Sequence, residues 1–290
     1  MKKLLLFAAC AMVAMGSCGN KEKAPAAGAK DSVAVKPVEA EQKEEVRIDT
    51  LQTDTLSFEK HEGYYTVTLF AEYPIAGSDS LVKSIREYIN DFLSGSYSGS
   101  LADGRAMIRE NGEYQFNVLQ EEGDVDEEYA PDLFIQKSVI RGFENSAFVT
   151  FEASNAQYTG GIHGIGFETG CTFCKANGKR FDSTMLKNTN TPAFKRLIKN
   201  GLKKFFATEG KGAESVSDEA LAEELVSYGG SVDELPLPDA EPFMTAEGIK
   251  FIYQPYEISY YAAGRPEFTI PYDVVKPYLT DEAIEWFLSE

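Results

Sequence analysis

The sequence predicts an α+β fold, with helices packed on antiparallel sheets in two abutting subdomains. Some segments alternate apolar and polar residues at the period of a half-buried strand, and others repeat apolar residues at helical spacing. Short turn sequences join neighbouring strand segments, which is typical of antiparallel hairpins. Strands and helices come in mixed order, which favours α+β over a parallel α/β sheet. We predict an N-terminal domain over residues 48–157 and a C-terminal domain over residues 158–290.

The chain begins with the pattern of a bacterial lipoprotein export signal. Two lysines are followed by an apolar run over residues 4–13 and by small residues that lead to Cys18. The run is too short to span a bilayer. We therefore expect residues 1–17 to be a cleaved signal peptide and Cys18 to carry the lipid, since several acyl chains hold a protein lastingly on a membrane. The alternative is an ordinary cleaved signal with Cys18 as a bystander.

Behind Cys18 we predict a disordered tether and then a folded body at the cell envelope. Residues 18–47 are rich in Lys, Glu, Ala and Pro and carry apolar residues only singly, so they bury too little surface to fold. The remaining chain is apolar enough to build a core, yet no later segment is apolar enough to cross a membrane. Gly19 stands where an aspartate would argue for inner-membrane retention, which favours the outer membrane.

The formal net charge of −18 excludes nucleic acid as an expected partner. Such a charge favours encounter with basic proteins or cations. A basic protein is therefore a better candidate partner than an anionic polymer. The simpler interpretation is that the charge keeps the protein soluble in the envelope.

The first half of the body is predicted as a strand, two helices and further strands. Tyr65, Val67 and Leu69 alternate with threonines until Pro74 and Gly77 end the strand. Helical periodicity then starts at Ser78. The apolar residues of this predicted helix are Leu81, Ile85, Tyr88, Ile89 and Phe92. A weaker helix is predicted over residues 101–108 and a strand over residues 114–119.

An acidic stretch and a run of hairpins follow. Residues 121–128 lack the ligand spacing of a calcium loop, so we interpret them as a solvated loop, with a metal site as the alternative. Strands over residues 133–139 and 147–153 form one hairpin. A strand over residues 167–175 runs into a two-residue type I′ turn at Asn177-Gly178.

The second half is predicted to contain helices that follow clear start signals. Thr191-Pro192 opens a helix with one apolar face and one lysine-rich face. We expect the lysines to pair with surrounding acids, with an anion site as the alternative. A shorter helix covers residues 217–228, strands cover residues 249–253 and 267–270, and a capped helix covers residues 280–288.

Cys171 and Cys174 are the cysteines that remain after the signal and the lipidated position are set aside. In a strand, their side chains would point to opposite faces, which works against a bridge between them. We therefore expect a structural role for both. An exposed disulfide or a metal site is the alternative.

Two sequence clusters stand out as candidate binding residues. The first comprises Tyr158, Gly160, Gly161, His163 and Gly164, whose glycines permit a tight turn and close backbone approach. For His163 the alternatives are a structural hydrogen bond, a ligand contact or catalysis.

The second cluster comprises Tyr256, Glu257 and Tyr261 within P-Y-E and Y-A-A-G segments. These tyrosines, together with Tyr260, are able to stack on sugar or peptide while Glu257 accepts hydrogen bonds. The alternative, which we favour, is that Tyr256 packs in a turn and that Glu257 ties the turn down.

The two clusters, Y-T-G-G-I-H-G at residues 158–164 and the segments from Gly248 to Tyr272, together resemble a known pair of extracellular domains. This pair is found in RsiV-type anti-sigma factors and beside the catalytic domain of PdaC-type peptidoglycan deacetylases. In RsiV-type proteins this region binds lysozyme. The present sequence has no internal transmembrane segment and no deacetylase domain beside the clusters, so we expect neither the signalling role nor the deacetylase activity.

The resemblance and the composition together predict a non-catalytic, lipid-anchored binding module. Its expected ligand is a protein, such as a lysozyme-like basic protein, or a peptidoglycan fragment. We expect no cofactor, no metal site and no catalytic residue. The alternatives are an envelope hydrolase that acts on peptidoglycan through His163 and Glu257, and a purely structural lipoprotein.

Overall fold

A computed structural model describes residues 50–123, 132–208 and 215–288 of the chain. The predicted signal peptide and the whole predicted tether, including Cys18, lie outside these residues, as does most of the acidic stretch. The described residues form two sheets and six helices, which confirms the predicted α+β class. None of the helices described in these ranges is both long and apolar enough to cross a membrane.

The larger sheet has six strands that lie side by side in chain order. All neighbours are antiparallel except β2 and β3, which are parallel. Two helices connect this parallel pair, because parallel neighbours need a crossover rather than a hairpin. The strands are β1 (Gln52–Glu62), β2 (Tyr65–Ala76), β3 (Leu133–Glu144), β4 (Phe148–Tyr158), β5 (Ile165–Cys174) and β6 (Arg180–Phe181).

Helices α1 (Asp79–Leu93) and α2 (Gly104–Glu122) cover one face of this sheet. The predicted start of α1 is confirmed, with Leu81, Ile85 and Ile89 buried against the sheet. Ser78 occupies the position before α1, but its hydroxyl donates to the Lys175 carbonyl oxygen (3.3 Å) and does not cap the helix.

The helix predicted over residues 101–108 is confirmed from Gly104 onward, but the strand predicted over residues 114–119 is wrong, because α2 continues through it to Glu122. Its buried stripe contains Asn111 and Gln115 among apolar residues such as Phe116 and Leu119. These polar side chains hide the helical period in the sequence. Gly112 also lies in the stripe, where the Phe58 ring of β1 packs directly against the helix backbone.

The strands of this sheet extend beyond their predicted limits. Strand β1 was not predicted, and β2 continues through Pro74 to Ala76. Pro74 is tolerated because it pairs with Thr53 beside a register shift at the end of β1, where the ladder is already interrupted. The hairpin between β3 and β4 is confirmed, although β3 reaches Glu144.

A smaller antiparallel sheet lies on the other face of β4 and β5. Its strands are β7 (Phe243–Met244), β8 (Gly248–Ile252) and β9 (Glu267–Pro271), in that order. The Met244 N–H donates to the Thr172 hydroxyl (2.8 Å), and the Thr150 hydroxyl donates to the Met244 carbonyl (2.7 Å), so β7 is joined to the larger sheet. The associated helices are α3 (Pro192–Thr208), α4 (Asp218–Glu224), α5 (Tyr272–Val275) and α6 (Asp281–Phe287).

The predicted domain boundary at residue 157/158 falls at the last residue of β4. Strand β5 belongs to the predicted C-terminal domain, yet it pairs with β4 along its whole length. The two predicted domains therefore share the six-stranded sheet. One hydrophobic core lies between this sheet and α1 and α2, and a second lies around α3, α6 and the smaller sheet.

The Asn177-Gly178 turn is correct in place but wrong in type. The Gly178 N–H donates to the Cys174 carbonyl, and the Cys174 N–H donates to the Lys179 carbonyl (both 2.8 Å), so the loop has four residues. A type I′ turn needs a positive φ at both central residues, but only Gly178 has one. The Asn177 side chain instead accepts from the Lys179 N–H (2.9 Å).

The two cysteines lie on opposite faces of β5, as the strand period predicts. Cys171 belongs to the core beneath α1 and α2, and Cys174 belongs to the other core. Both are free thiols. Burial raises the pKa of the Cys171 thiol to about 12, so this side chain stays protonated and unreactive at neutral pH.

Candidate functional site

The loop of residues 159–164, between β4 and β5, turns tightly because of its glycines. Gly160 and Gly161 have φ values of 113° and 84°, which only glycine adopts easily. A side chain at Gly164 would lie 2.7 Å from the Gln157 carbonyl oxygen, closer than atoms approach without overlap. The Tyr158 hydroxyl donates to the Gly161 carbonyl (2.8 Å) and holds the loop in this shape.

A second turn, after β8, presents Tyr256 in an uncommon backbone conformation. Tyr256 has a φ of 70°, and its side chain is 50% exposed. A non-glycine residue in this region is strained and keeps this conformation only when its surroundings hold it there. The Glu257 carboxylate supplies part of this restraint by accepting from the backbone N–H groups of Gln254 (2.7 Å) and Asp239 (2.8 Å).

The two sequence clusters meet at three rings, which we call the aromatic cluster: His163, Tyr256 and Tyr261. His163 Nε2 lies 3.0 Å from the Tyr256 hydroxyl. The His163 ring stacks on Tyr261 with 3.9 Å between ring centroids and 17° between ring planes. The Tyr261 hydroxyl donates to the Gly164 carbonyl (2.7 Å). Residues nearly one hundred positions apart in sequence thus form one surface feature.

The hydrogen bonds of His163 define which ring nitrogen carries the proton. Nδ1 lies 2.9 Å from the Gly164 carbonyl oxygen, and a carbonyl only accepts, so Nδ1 must donate. In the neutral ring, Nε2 therefore accepts from the Tyr256 hydroxyl. A general base needs a free lone pair toward its substrate, but in this arrangement the lone pair of His163 is already occupied.

Glu257 stabilises the turn and does not bond to the rings. Its carboxylate oxygens accept the two backbone N–H groups described above, which matches the favoured structural interpretation of this residue. Burial raises the pKa of the Glu257 carboxyl, and the two hydrogen bonds only partly oppose that effect.

We expect Glu257→Gln to lower the free energy of unfolding by about 2 kcal/mol, because the amide NH2 group cannot accept a backbone N–H as the second carboxylate oxygen does. The raised pKa means that the folded protein holds its proton to higher pH than the unfolded chain does. Wild-type stability therefore falls as pH rises from the unfolded pKa through the raised one, and the variant lacks this fall. Urea unfolding between pH 4 and 7 measures both effects.

The exposed Glu247→Gln on the β7–β8 hairpin is the matched control, and we expect it to change stability by less than about 0.5 kcal/mol. Equal stability of wild type and Glu257→Gln across this pH range would show that the carboxylate does not hold the turn.

A groove of about 920 Å³ adjoins the aromatic cluster. The 3-10 helix Tyr261–Ala263 connects the two, since Tyr261 belongs to the cluster and the two alanines line the groove. Strand β9 and helix α3 form much of the lining. Its volume is in the range of ligand-binding pockets.

Three residues that were not predicted from the sequence form contacts at the edge of this groove. Arg265 forms an ion pair with Glu168 of β5. The Gln254 side-chain amide accepts from the Glu168 N–H (3.3 Å) and donates to the Glu168 carbonyl (2.8 Å). The amide thus bonds to the backbone of Glu168 as a residue of a paired strand would. The position of Arg265 directly after the Y-A-A-G segment was the one feature of the sequence that could have pointed to this contact. Nothing local could have linked Glu168 to Gln254, because they lie far apart along the chain.

The lysine-rich face of α3 pairs with acids, as we expected. The structure therefore gives the anion-site alternative no support. The pairs are Lys195 with Glu234, Lys199 with Asp218 (2.9 Å) and Asp233 (2.6 Å), and Lys203 with Asp218 (2.8 Å).

The structure brings together the predicted residues Tyr158, His163, Tyr256 and Tyr261, with the glycines of the first cluster shaping their loop. Tyr260 lies apart from the three rings, and its hydroxyl donates to the Glu224 carboxylate (2.7 Å). Within the described ranges, no group of three or more His, Cys, Asp or Glu side chains is arranged to hold a metal ion.

Comparison with solved structures supports the fold. A DUF3298 family member from Bacteroides fragilis NCTC 9343 superposes with a TM-score of 0.60 at 19% identity, covering 81% of this chain and 95% of that one. A DUF3298 family protein from Pseudomonas aeruginosa PAO1 superposes with a TM-score of 0.55 at 17% identity, covering 80% of this chain and 96% of that one.

Sequence comparison assigns a domain to part of the chain. No curated protein matches the sequence. Residues 187–273, which include α3, the smaller sheet and the Tyr256 turn, match the family described as "Protein of unknown function (DUF3298)". The chain thus contains a DUF3298 domain of unknown function, within a fold shared with solved DUF3298 proteins.

Proposed function

We propose that this chain is a non-catalytic binding protein of the bacterial cell envelope, held to a membrane through lipid on Cys18. Its ligand is a protein or a peptidoglycan fragment, and its binding region is the aromatic cluster with the adjoining groove. The observation that carries the proposal is the arrangement of His163, Tyr256 and Tyr261, which are fixed by hydrogen bonds and stacking at the surface.

Fixed tyrosine rings suit recognition because they offer apolar area and a hydroxyl at little further cost in side-chain entropy. Tyr256 keeps half of its surface exposed, and the neighbouring Ile162 is fully exposed at the tip of the glycine loop. The strained φ of Tyr256 also supports a functional role, since such strain concentrates at binding sites. The occupied lone pair of His163 favours binding over hydrolysis.

Charge supports a basic protein among the candidate ligands. The formal net charge of −18 would speed encounter with a cationic partner and would make the interaction sensitive to salt. The resemblance to the lysozyme-binding region of RsiV-type proteins makes lysozyme the first protein to test, with soluble muropeptides as the second ligand.

The test immobilises the full chain in detergent and measures capture of lysozyme and of muropeptides by mass spectrometry. We expect specific capture that falls at least tenfold in the double variant His163→Ala/Tyr256→Ala. Tyr114→Ala removes an exposed tyrosine on α2, outside the cluster, and should capture as the wild type does. Circular dichroism of each variant establishes that the fold is intact.

Two outcomes would contradict the proposal. Capture of neither ligand at low salt by a folded wild-type chain would favour a structural lipoprotein. Muropeptide turnover that disappears in the folded His163→Ala variant would instead identify a hydrolase.

A further inference from the structure

The hydrogen bonds around β8 reveal which backbone groups of β9 face away from the sheet. The Tyr253 N–H donates to the Pro266 carbonyl (2.9 Å), so these two residues form a hydrogen-bonded pair. Bonded and non-bonded pairs alternate along an antiparallel ladder. In the observed register, Phe268 and Ile270 therefore bond to β8, whereas Glu267 and Thr269 direct their N–H and C=O groups outward.

The hydrogen bonds between β8 and β7 independently indicate the same outward direction for the backbone groups of Thr269. The Thr245 N–H donates to the Gly248 carbonyl (2.8 Å), which makes this a bonded pair across the β7–β8 hairpin. Two residues along, Lys250 bonds to Phe243 of β7 and so cannot also bond to its β9 partner Thr269.

Strand β9 is an open edge, and the groove lies along it. It is the last strand of its sheet, and all five of its residues line the groove. Within the described ranges, no hydrogen bond reaches the outward backbone groups of Glu267 and Thr269. Pro271 fits this edge because it lies in the same outward register, where a missing N–H removes no bond to β8. By contrast, β7 at the other edge is covered by the larger sheet.

From this geometry we propose that the groove binds an extended peptide segment of a partner, which adds as a fourth strand to the edge of β9. This inference rests on the proposed binding function and names the ligand class. Alternating outward N–H and C=O groups are matched by another extended backbone, the mode known as β-strand addition. Exposed edges of this kind are otherwise covered or blocked in stable proteins.

The walls of the groove indicate the side chains that this peptide carries. Successive residues of an added strand point to opposite faces, so every second residue meets the face where Phe268 packs on α3. Leu197 and Phe205 of α3 make that wall apolar.

The charges along the groove are balanced, since the acids Glu168 and Glu267 are matched by the bases Lys204 and Arg265. Arg265 pairs with Glu168, and Lys250 pairs with Glu267 (2.9 Å). A largely uncharged segment with an apolar residue at alternate positions is therefore the complementary ligand.

The experiment selects binders to the full chain in detergent from a display library of random heptapeptides. We expect enrichment of uncharged sequences with alternating apolar residues. The best sequence is then synthesised with a fluorescent label, and its affinity is measured by polarisation. Two N-methylated versions of this peptide are compared, one methylated at its odd-numbered residues and one at its even-numbered residues. One version should bind at least tenfold more weakly than the unmodified peptide, and the other should differ from it less than twofold, because only alternate N–H groups of the peptide face β9.

Variants of Thr269 test the same bonds from the protein side. Thr269→Pro removes the outward N–H and should weaken peptide binding about tenfold, while Thr269→Val keeps this N–H and should stay within twofold of wild type. Amide hydrogen exchange in the wild-type chain gives a readout that needs no variant to fold. Exchange at Thr269 should slow on addition of the selected peptide.

Failure of this inference is distinguishable from failure of the proposed function. Any one of four results would overturn strand addition. These are no enriched peptide, equal effects of the two N-methylated peptides, unchanged exchange at Thr269, and self-association of the chain through β9. If the Thr269→Pro variant then still captures lysozyme or muropeptides while His163→Ala/Tyr256→Ala does not, the proposed function stands without it.

Discussion

Gly248→Ala is expected to lower the free energy of unfolding by about 3 kcal/mol, at the upper end of the usual cost of overpacking a buried site. An added methyl group at Gly248 would overlap the carbonyl oxygen of Ile270 and lie 2.8 Å from the Pro271 Cα. All of these atoms belong to the backbone of β9, so no side-chain rotation relieves the overlap. The strands β8 and β9 would have to separate, although their pairing contributes to the core around Phe251.

Chemical unfolding monitored by circular dichroism measures this loss. Gly63→Ala is the matched control, because Gly63 has a φ of 61° and open space around its Cα. We expect it to cost only about 1 kcal/mol, through backbone strain alone. If the two alanine variants were equally stable, steric conflict with β9 would not be the reason for glycine at position 248.

Asn111→Leu is expected to lower the free energy of unfolding by about 3 kcal/mol, because it leaves several buried polar groups without partners. The Asn111 amide donates to the Asn90 side chain (2.8 Å) and to the Met107 carbonyl (2.9 Å). Its oxygen accepts from the Ser94 hydroxyl and from the Ser96 N–H (3.2 Å). One fully buried side chain thus joins α2 to the end of α1.

A double-mutant cycle with Asn90→Leu separates this network from simple packing. We expect the double variant to lose less stability than the sum of the single variants, because the first substitution already breaks the bond that the two side chains share. Gln120→Leu, at an exposed position on α2, should change stability by less than about 0.5 kcal/mol. Additive losses at positions 90 and 111 would rule out coupling through this bond.

The same network explains why sequence reasoning failed on α2. A helix that buries Asn111 and Gln115 does not show an apolar stripe, and the alternation around Tyr114 and Phe116 imitates a strand. Helix α1, whose buried residues are apolar except for Asn90, was predicted correctly. Local pattern is reliable only where burial and apolar character coincide.

The candidate site was predicted in its residues but not in its geometry. The glycine loop and the tyrosine turn were identified from sequence, as were His163 and Glu257. That His163 stacks on Tyr261 and bonds to Tyr256 follows only from strand pairing, which brings residues from two distant segments together. The groove was not foreseen, since α3 and β9 are separate in sequence and meet only because Gly201 lets Phe268 lie against the helix.

The sequence alone therefore determined the α+β class, the positions of α1 and of the main hairpins, and the opposite-facing cysteines, because these depend on period and turn residues within a few positions of one another. The shared six-stranded sheet, the role of Glu257 as a turn restraint, and the outward groups of Thr269 were decided by tertiary structure. Each depends on register between strands or on hydrogen bonds between distant segments, and no local pattern encodes those partners.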